Sequence, residues 1–150
     1  MIALGCDHAG FFIKKAIQEY FDEQNIQYKD FGTDNSEISV DYPKYAYLVA
    51  KAVSNGECEK GILCCGTGIG ISIAANKVNG IRAAVCLEES LAKMARLHND
   101  ANILCLGGRI IDENKAISIV KIFLSTPFDG GRHYQRILQI EQIEEDKFNF

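Results

Sequence analysis

Cys65 stands where a buried run meets three alternating glycines, and no other residue in the chain is better placed to do chemistry. The stretch Gly61-Ile62-Leu63-Cys64-Cys65-Gly66-Thr67-Gly68-Ile69-Gly70 reads as a strand, a tight turn and the start of a helix. Ile62 to Cys65 is apolar without alternation, as in a parallel strand covered on both faces. Glycines at 66, 68 and 70 let backbone N–H groups converge on an oxyanion, and a following helix start adds unpaired N–H groups. A helix N-terminus also favours a thiolate over a thiol. The spacing therefore puts a reactive sulfur beside an anion site. Alternation along the strand sends Cys64 to the opposite face, into the core. The turn is not a P-loop, because no Gly-Lys-Ser/Thr follows. It also departs from the dinucleotide fingerprint, since the residues three after Gly68 and Gly70 are Ile71 and Ile73, although an acid, Glu88, lies about 20 residues on.

Other groups of the right type lie elsewhere. Asp7-His8 offers an acid and an imidazole after an apolar run, a pairing suited to proton transfer, while Asp7 equally suits a helix N-cap. Asp41-Tyr42-Pro43 opens a second helix, and Arg109 follows Gly107-Gly108. His98-Asn99-Asp100 ends a helical segment, where His98 would also serve as a favourable C-terminal charge. Arg132 and Arg136 are four apart on one helix face with His133 beside them, a spacing able to grip a phosphate or simply to meet solvent. The six cysteines include no C-x-x-C pair, which argues against zinc and thioredoxin-type chemistry and for buried thiols in a reduced compartment.

Positioning these groups requires a sheet. Strands are expected at Met1 to Cys6, Ile26 to Phe31, Ile62 to Cys65, Ile81 to Cys86 and Ile103 to Leu106. Helices are expected between them, from Pro43 to about Ser54, up to Leu97, from Glu113 to Leu124, and from Arg132 through Ile143. In the first helix Phe12, Ile13, Ala16, Ile17 and Tyr20 form the apolar stripe, with Lys14, Lys15, Glu19 and Asp22 on the other face. Strands alternating with helices predict an α/β, Rossmann-like three-layer sandwich, one domain over 1–150 around a five-stranded parallel sheet, plus an extra C-terminal helix. Ligands in such sheets bind beyond the carboxyl ends of the strands. That rule gathers Asp7, His8, Asp41, Tyr42, Cys65 to Gly70 and Arg109 along one edge. The surplus amphipathic helix predicts a homodimer. A net charge of −4 argues against a nucleic-acid partner. No apolar run approaches the roughly 20 residues that span a bilayer, so the expectation is a cytoplasmic protein.

Taken together, the motifs resemble the ribose-5-phosphate isomerase B family. Gly5-Cys6-Asp7-His8-Ala9-Gly10, Asp41-Tyr42-Pro43, Cys65-Gly66-Thr67-Gly68-Ile69-Gly70, His98-Asn99-Asp100 and Gly130-Gly131-Arg132-His133 with Arg136 occur in the family's order. The resemblance implies interconversion of ribose 5-phosphate and ribulose 5-phosphate through an enediolate, without metal or organic cofactor. It implies Cys65 as the general base, Asp7 and His98 in opening of the furanose ring, and N–H groups from Gly66 through Ile69 to Gly70 on the enediolate oxygen. Thr67 and Asn99 would hold hydroxyls, with Tyr42 beside the substrate, and His8, Arg132, Arg136 and Arg109 would meet phosphate. It further implies sites shared between the subunits of a homodimer or tetramer. Some relatives carry a glutamate base where this chain has Ile71, which leaves Cys65 without a substitute. Galactose-6-phosphate isomerases share the turn but tend to lack the His-Asn-Asp and Gly-Gly-Arg-His stretches. Six-carbon sugar phosphates such as allose or galactose 6-phosphate stay open as substrates. The competing classes are a nucleotide- or flavin-binding module and a redox sensor using Cys64-Cys65.

Overall fold

The computed structural model describes residues 1–149. Its strands are β1 (Ile2–Cys6), β2 (Tyr28–Asp30), β3 (Lys60–Cys65), β4 (Ala83–Val85) and β5 (Ile103–Gly107), and its helices are α1 (Phe11–Gln24), α2 (Tyr42–Ser54), α3 (Ile69–Ala75), α4 (Glu89–Asn99), α5 (Glu113–Ser125) and α6 (Arg132–Glu144). The strands form one sheet in the order β2-β1-β3-β5-β4. Every neighbouring pair is parallel, with Cys6 opposite Cys64 and Cys65 opposite Gly107.

Two apolar layers flank the sheet, because the central strands are apolar on both faces. On one side Ile13, Ile17 and Phe21 of α1 and Ile119 and Phe123 of α5 cover Leu4, Ile62, Cys64 and Leu106. On the other, Val49 of α2 and Ile71 of α3 cover Ala3, Leu63, Cys65 and Cys105. Cys64 and Cys65 thus face opposite layers, as alternation predicts. The expected edge strands are longer than those observed. Ile26 instead donates its N–H to the carbonyl of Phe21 at 2.9 Å, closing the end of α1. The C-terminal helix α6 buries only His133 and Ile137 and leaves Ile140 and Ile143 exposed.

The chain leaves β1 toward β2 on one side and continues to β3 on the other. This reversal opens a crevice beyond Cys6 and Cys65. Helix α4 runs back against the strands, so its last residues reach the amino edge of the sheet. There Gly61 donates its N–H to the carbonyl of Asn102 at 2.9 Å, just before β5 begins.

One expected surface residue is internal. Lys14 is only 2% exposed, and its Nζ donates to Asp30 Oδ2 at 2.7 Å and to the carbonyl of Thr33 at 2.8 Å. A buried ammonium must be paired, and this pair ties the segment after β2 to α1.

Candidate active site

At the carboxyl edge the backbone builds a cradle around Cys65. The thiol, 4% exposed, accepts the N–H of Gly68 at 3.1 Å. Gly68 takes φ +81°, a left-handed value that L side chains rarely adopt, and so turns its N–H back toward the sulfur. The turn is locked onto the end of β5: Gly108 donates to the carbonyl of Cys65 at 2.7 Å, and Arg109 donates its N–H to the carbonyl of Gly66 at 3.0 Å. The Arg109 guanidinium lies against Gly66, with Nη1 3.2 Å from where a Cβ would sit. Thr67 Oγ1 accepts from Ile69 N–H at 3.2 Å. The Tyr42 ring closes over Gly70 so tightly that an added Cβ would lie 2.7 Å from Cζ and 2.9 Å from the phenol oxygen. Helix α3 has seven residues. The local N–H groups of the turn, rather than a long helix dipole, supply the donors.

Asp7 donates its N–H to the carbonyl of Cys64 at 3.2 Å, which seats Asp7 and His8 beside the end of β3. Asp7 Oδ1 accepts from Ala9 N–H at 3.0 Å and Gly10 N–H at 3.1 Å, so the N-cap role is realised, and with a single carboxylate oxygen. His8 Nδ1 accepts the N–H of Val40 at 3.1 Å. An accepting Nδ1 places the proton of the neutral ring on Nε2. Val40 carries no signal in the sequence, because it acts through its backbone from 32 residues away.

His98, Asn99, Arg132 and Arg136 form a second group, at the amino edge. His98 is half-buried at the end of α4, while Asn99, Arg132 and Arg136 are exposed. His133, at the start of α6, stacks on His98 with ring centroids 4.2 Å apart and planes within 13°. Burial and the neighbouring His98, Arg132 and Arg136 push the His133 imidazole below its ordinary range, against a smaller opposing pull from Asp129. The structure does not bring this group to Cys65. Four residue steps separate Gly61 from Cys65, or roughly 13 Å of strand.

The other five thiols are ill suited to chemistry. Burial pushes those of Cys64 and Cys105 well up, that of Cys6 to about 12 and that of Cys86 to about 11, and it also raises Cys58. All six cysteines are free. Among the described residues no group of three or more His, Cys, Asp or Glu is arranged to hold a metal ion, and no helix is long and apolar enough to cross a membrane.

Comparison with known proteins gives a consistent picture. The family model described as Ribose/Galactose Isomerase matches residues 2–140. Ribose-5-phosphate isomerase B of Escherichia coli is 49% identical over 144 residues, covering 96% of each chain. A Clostridium thermocellum ribose-5-phosphate isomerase B structure superimposes with a TM-score of 0.94 at 50% identity, covering 97% of both chains. The Mycoplasma genitalium enzyme, solved with bound ribulose-5-phosphate, gives 0.92 at 41% identity, covering 97% of this chain and 96% of that one.

Proposed function

The chain belongs to the ribose/galactose isomerase family, and from that membership we propose that it is an aldose–ketose isomerase interconverting ribose 5-phosphate and ribulose 5-phosphate with Cys65 as the base. The single observation that carries the assignment of the base is the Cys65 cradle, a thiol facing a turn whose Gly68 N–H points at the sulfur at 3.1 Å. In the open-chain aldose, Cys65 Sγ removes the proton on C2. The electron pair forms the C1–C2 double bond, and the C1 carbonyl oxygen becomes the oxyanion. Amides of the Gly66 to Gly70 turn, apart from the Gly68 and Ile69 N–H groups already donated to Cys65 Sγ and Thr67 Oγ1, hold that charge at little reorganisation cost. The thiol then returns the proton to C1 while the hydroxyl proton on O2 moves to O1, leaving the ketone at C2. Thr67 and Tyr42 line the turn and orient hydroxyls. His8, with Nε2–H as donor, and Arg109 meet the substrate from the cradle side.

His98, Asn99, Arg132 and Arg136 have the chemistry for ring opening and phosphate capture, yet their own chain holds them at the far edge of the sheet. We therefore read the enzyme as a homodimer in which this group reaches the partner's Cys65 cradle, with Asp7 and His98 flanking the furanose ring. The chain as a whole, 1–150, serves as a single sugar-phosphate isomerase domain in the cytoplasm, where the unpaired thiols stay reduced.

The test is conversion of ribose 5-phosphate to ribulose 5-phosphate with excess chelator, for the native protein and Cys65→Ala in parallel. Activity in the native protein alone is expected. Equal activity in both would move the base elsewhere, and activity in neither would remove the reaction.

A further inference from the structure

The stacked histidines occupy a braced corner of the amino edge. Arg96, buried in α4, donates through Nε to the carbonyl of Thr126 at 3.1 Å, and through Nη1 to Asp100 Oδ1 at 2.8 Å and the carbonyl of Ala101 at 2.7 Å. One guanidinium thus joins the end of α4, the entry to β5 and the segment leading to α6. Asp129 adds a second tie, donating its N–H to the carbonyl of Leu97 at 3.0 Å. Gly130 and Gly131 then turn the chain with φ +67° and +57°, and α6 begins with its second residue, His133, facing inward. Arg132 and Arg136 on the same helix stay exposed while His133 is buried. A buried imidazole flat against another, 4.2 Å away, has its position set by this bracing and not by solvent.

We propose that His133 is a positioning residue for His98, its stacked ring fixing the plane and rotamer in which the His98 imidazole is presented to the sugar ring. The inference rests on the reading of His98 as a group that assists ring opening. A neutral His133 suits the role, because two charged imidazoles would repel each other across the stack. The guanidinium groups of Arg132 and Arg136 press in the same direction, and Asp129 opposes them. Displacing a catalytic group by a fraction of an ångström costs turnover more than binding.

The experiment compares native protein, His98→Asn, His133→Ala and His133→Phe by steady-state kinetics and by proton NMR of the His98 ring. His133→Ala is expected to lower kcat about 10-fold with KM for ribose 5-phosphate changed less than about twofold, and His133→Phe to recover most of kcat by restoring a flat ring. The His98 ring protons, shielded by the stack in the native protein, should move downfield in His133→Ala. Native kcat in His133→Ala, equal loss in both variants, or a rise in KM alone would overturn the inference. If the native protein has no isomerase activity, or His98→Asn is fully active, the underlying reading of His98 fails instead.

Discussion

The two edges of the sheet are built by different means. At the carboxyl edge the proposed site groups are a thiol and backbone amides, held by strand ends and by glycines that let Tyr42 and Arg109 close on the turn. At the amino edge they are side chains on helix ends, two stacked imidazoles with two exposed guanidinium groups beside them. The first arrangement suits bond-making, since fixed amides meet a developing charge without rearranging. The second would suit capture, since an exposed guanidinium is able to hold a phosphate by charge-assisted hydrogen bonds. Neither edge alone contains both the proposed base, Cys65, and the arginine pair Arg132 and Arg136.

Changes at the two edges should therefore fail differently. Removing the base has the largest expected effect: Cys65→Ala should lower kcat by about 1,000-fold while a phosphate ligand still binds, measured by turnover and calorimetry. At the other edge, Arg136→Ala should raise KM by roughly 10- to 100-fold with a smaller change in kcat, the cost of one charge-assisted contact. If Arg136→Ala instead lost kcat with KM unchanged, the division between chemistry and capture would be wrong. Gly70→Ala drives a methyl into the Tyr42 ring and should cost about 10-fold in kcat/KM. Tyr42→Ala in the same chain should relieve the clash with the ring, so the two losses should not add.

Stability separates the two edges as well. Asp30→Ala would strip the buried Lys14 ammonium of its carboxylate, with an expected loss of about 3 kcal/mol and a Tm roughly 10 °C lower by calorimetry. Because Lys14 also holds Thr33, the start of the loop whose Val40 N–H holds His8, the same variant should weaken substrate binding through His8 at the carboxyl edge. The smallest effect lies at the amino edge and depends on pH. His133 binds its proton more weakly in the folded chain than the ordinary 6.5. The unfolded chain therefore takes up the extra proton as pH falls through 6.5 toward the lower folded value. Its contribution to stability is full above that range and lost below it. The drop in Tm between pH 7.5 and pH 5.5 should be smaller in His133→Phe than in the native protein.

Much of the carboxyl edge is legible in the amino-acid sequence itself. An unbroken apolar run into spaced glycines specifies a buried strand and a turn with free amides, and Asp7, Tyr42 and Cys65 follow from the rule that sites lie beyond strand ends. The placement of β5 between β3 and β4 is not legible, because right-handed crossovers through α3 and α4 permit either order. Periodicity misplaces Lys14, because it sees a charged residue but not Asp30, its partner 16 residues away. His133 stands in plain view beside two arginines. Its role depends on the turn at Gly130-Gly131 and on Arg96, whose acceptors include a carbonyl 30 residues on. Short-range pattern carries the strand and the turn, whereas long-range backbone acceptors carry the bracing and leave no local mark.

In the proposed homodimer each catalytic site takes its cradle from one chain and its arginines from the other. The direct measurement is subunit mixing: Cys65→Ala and Arg136→Ala chains are unfolded together, refolded at equal concentration, and assayed at substrate well below the raised KM. Random pairing leaves one intact site in each mixed dimer, so the account predicts recovery to about a quarter of native activity from two nearly inactive parents. No recovery in isolated mixed dimers would show that Cys65 and Arg136 serve the same site from within one chain, and would contradict the account.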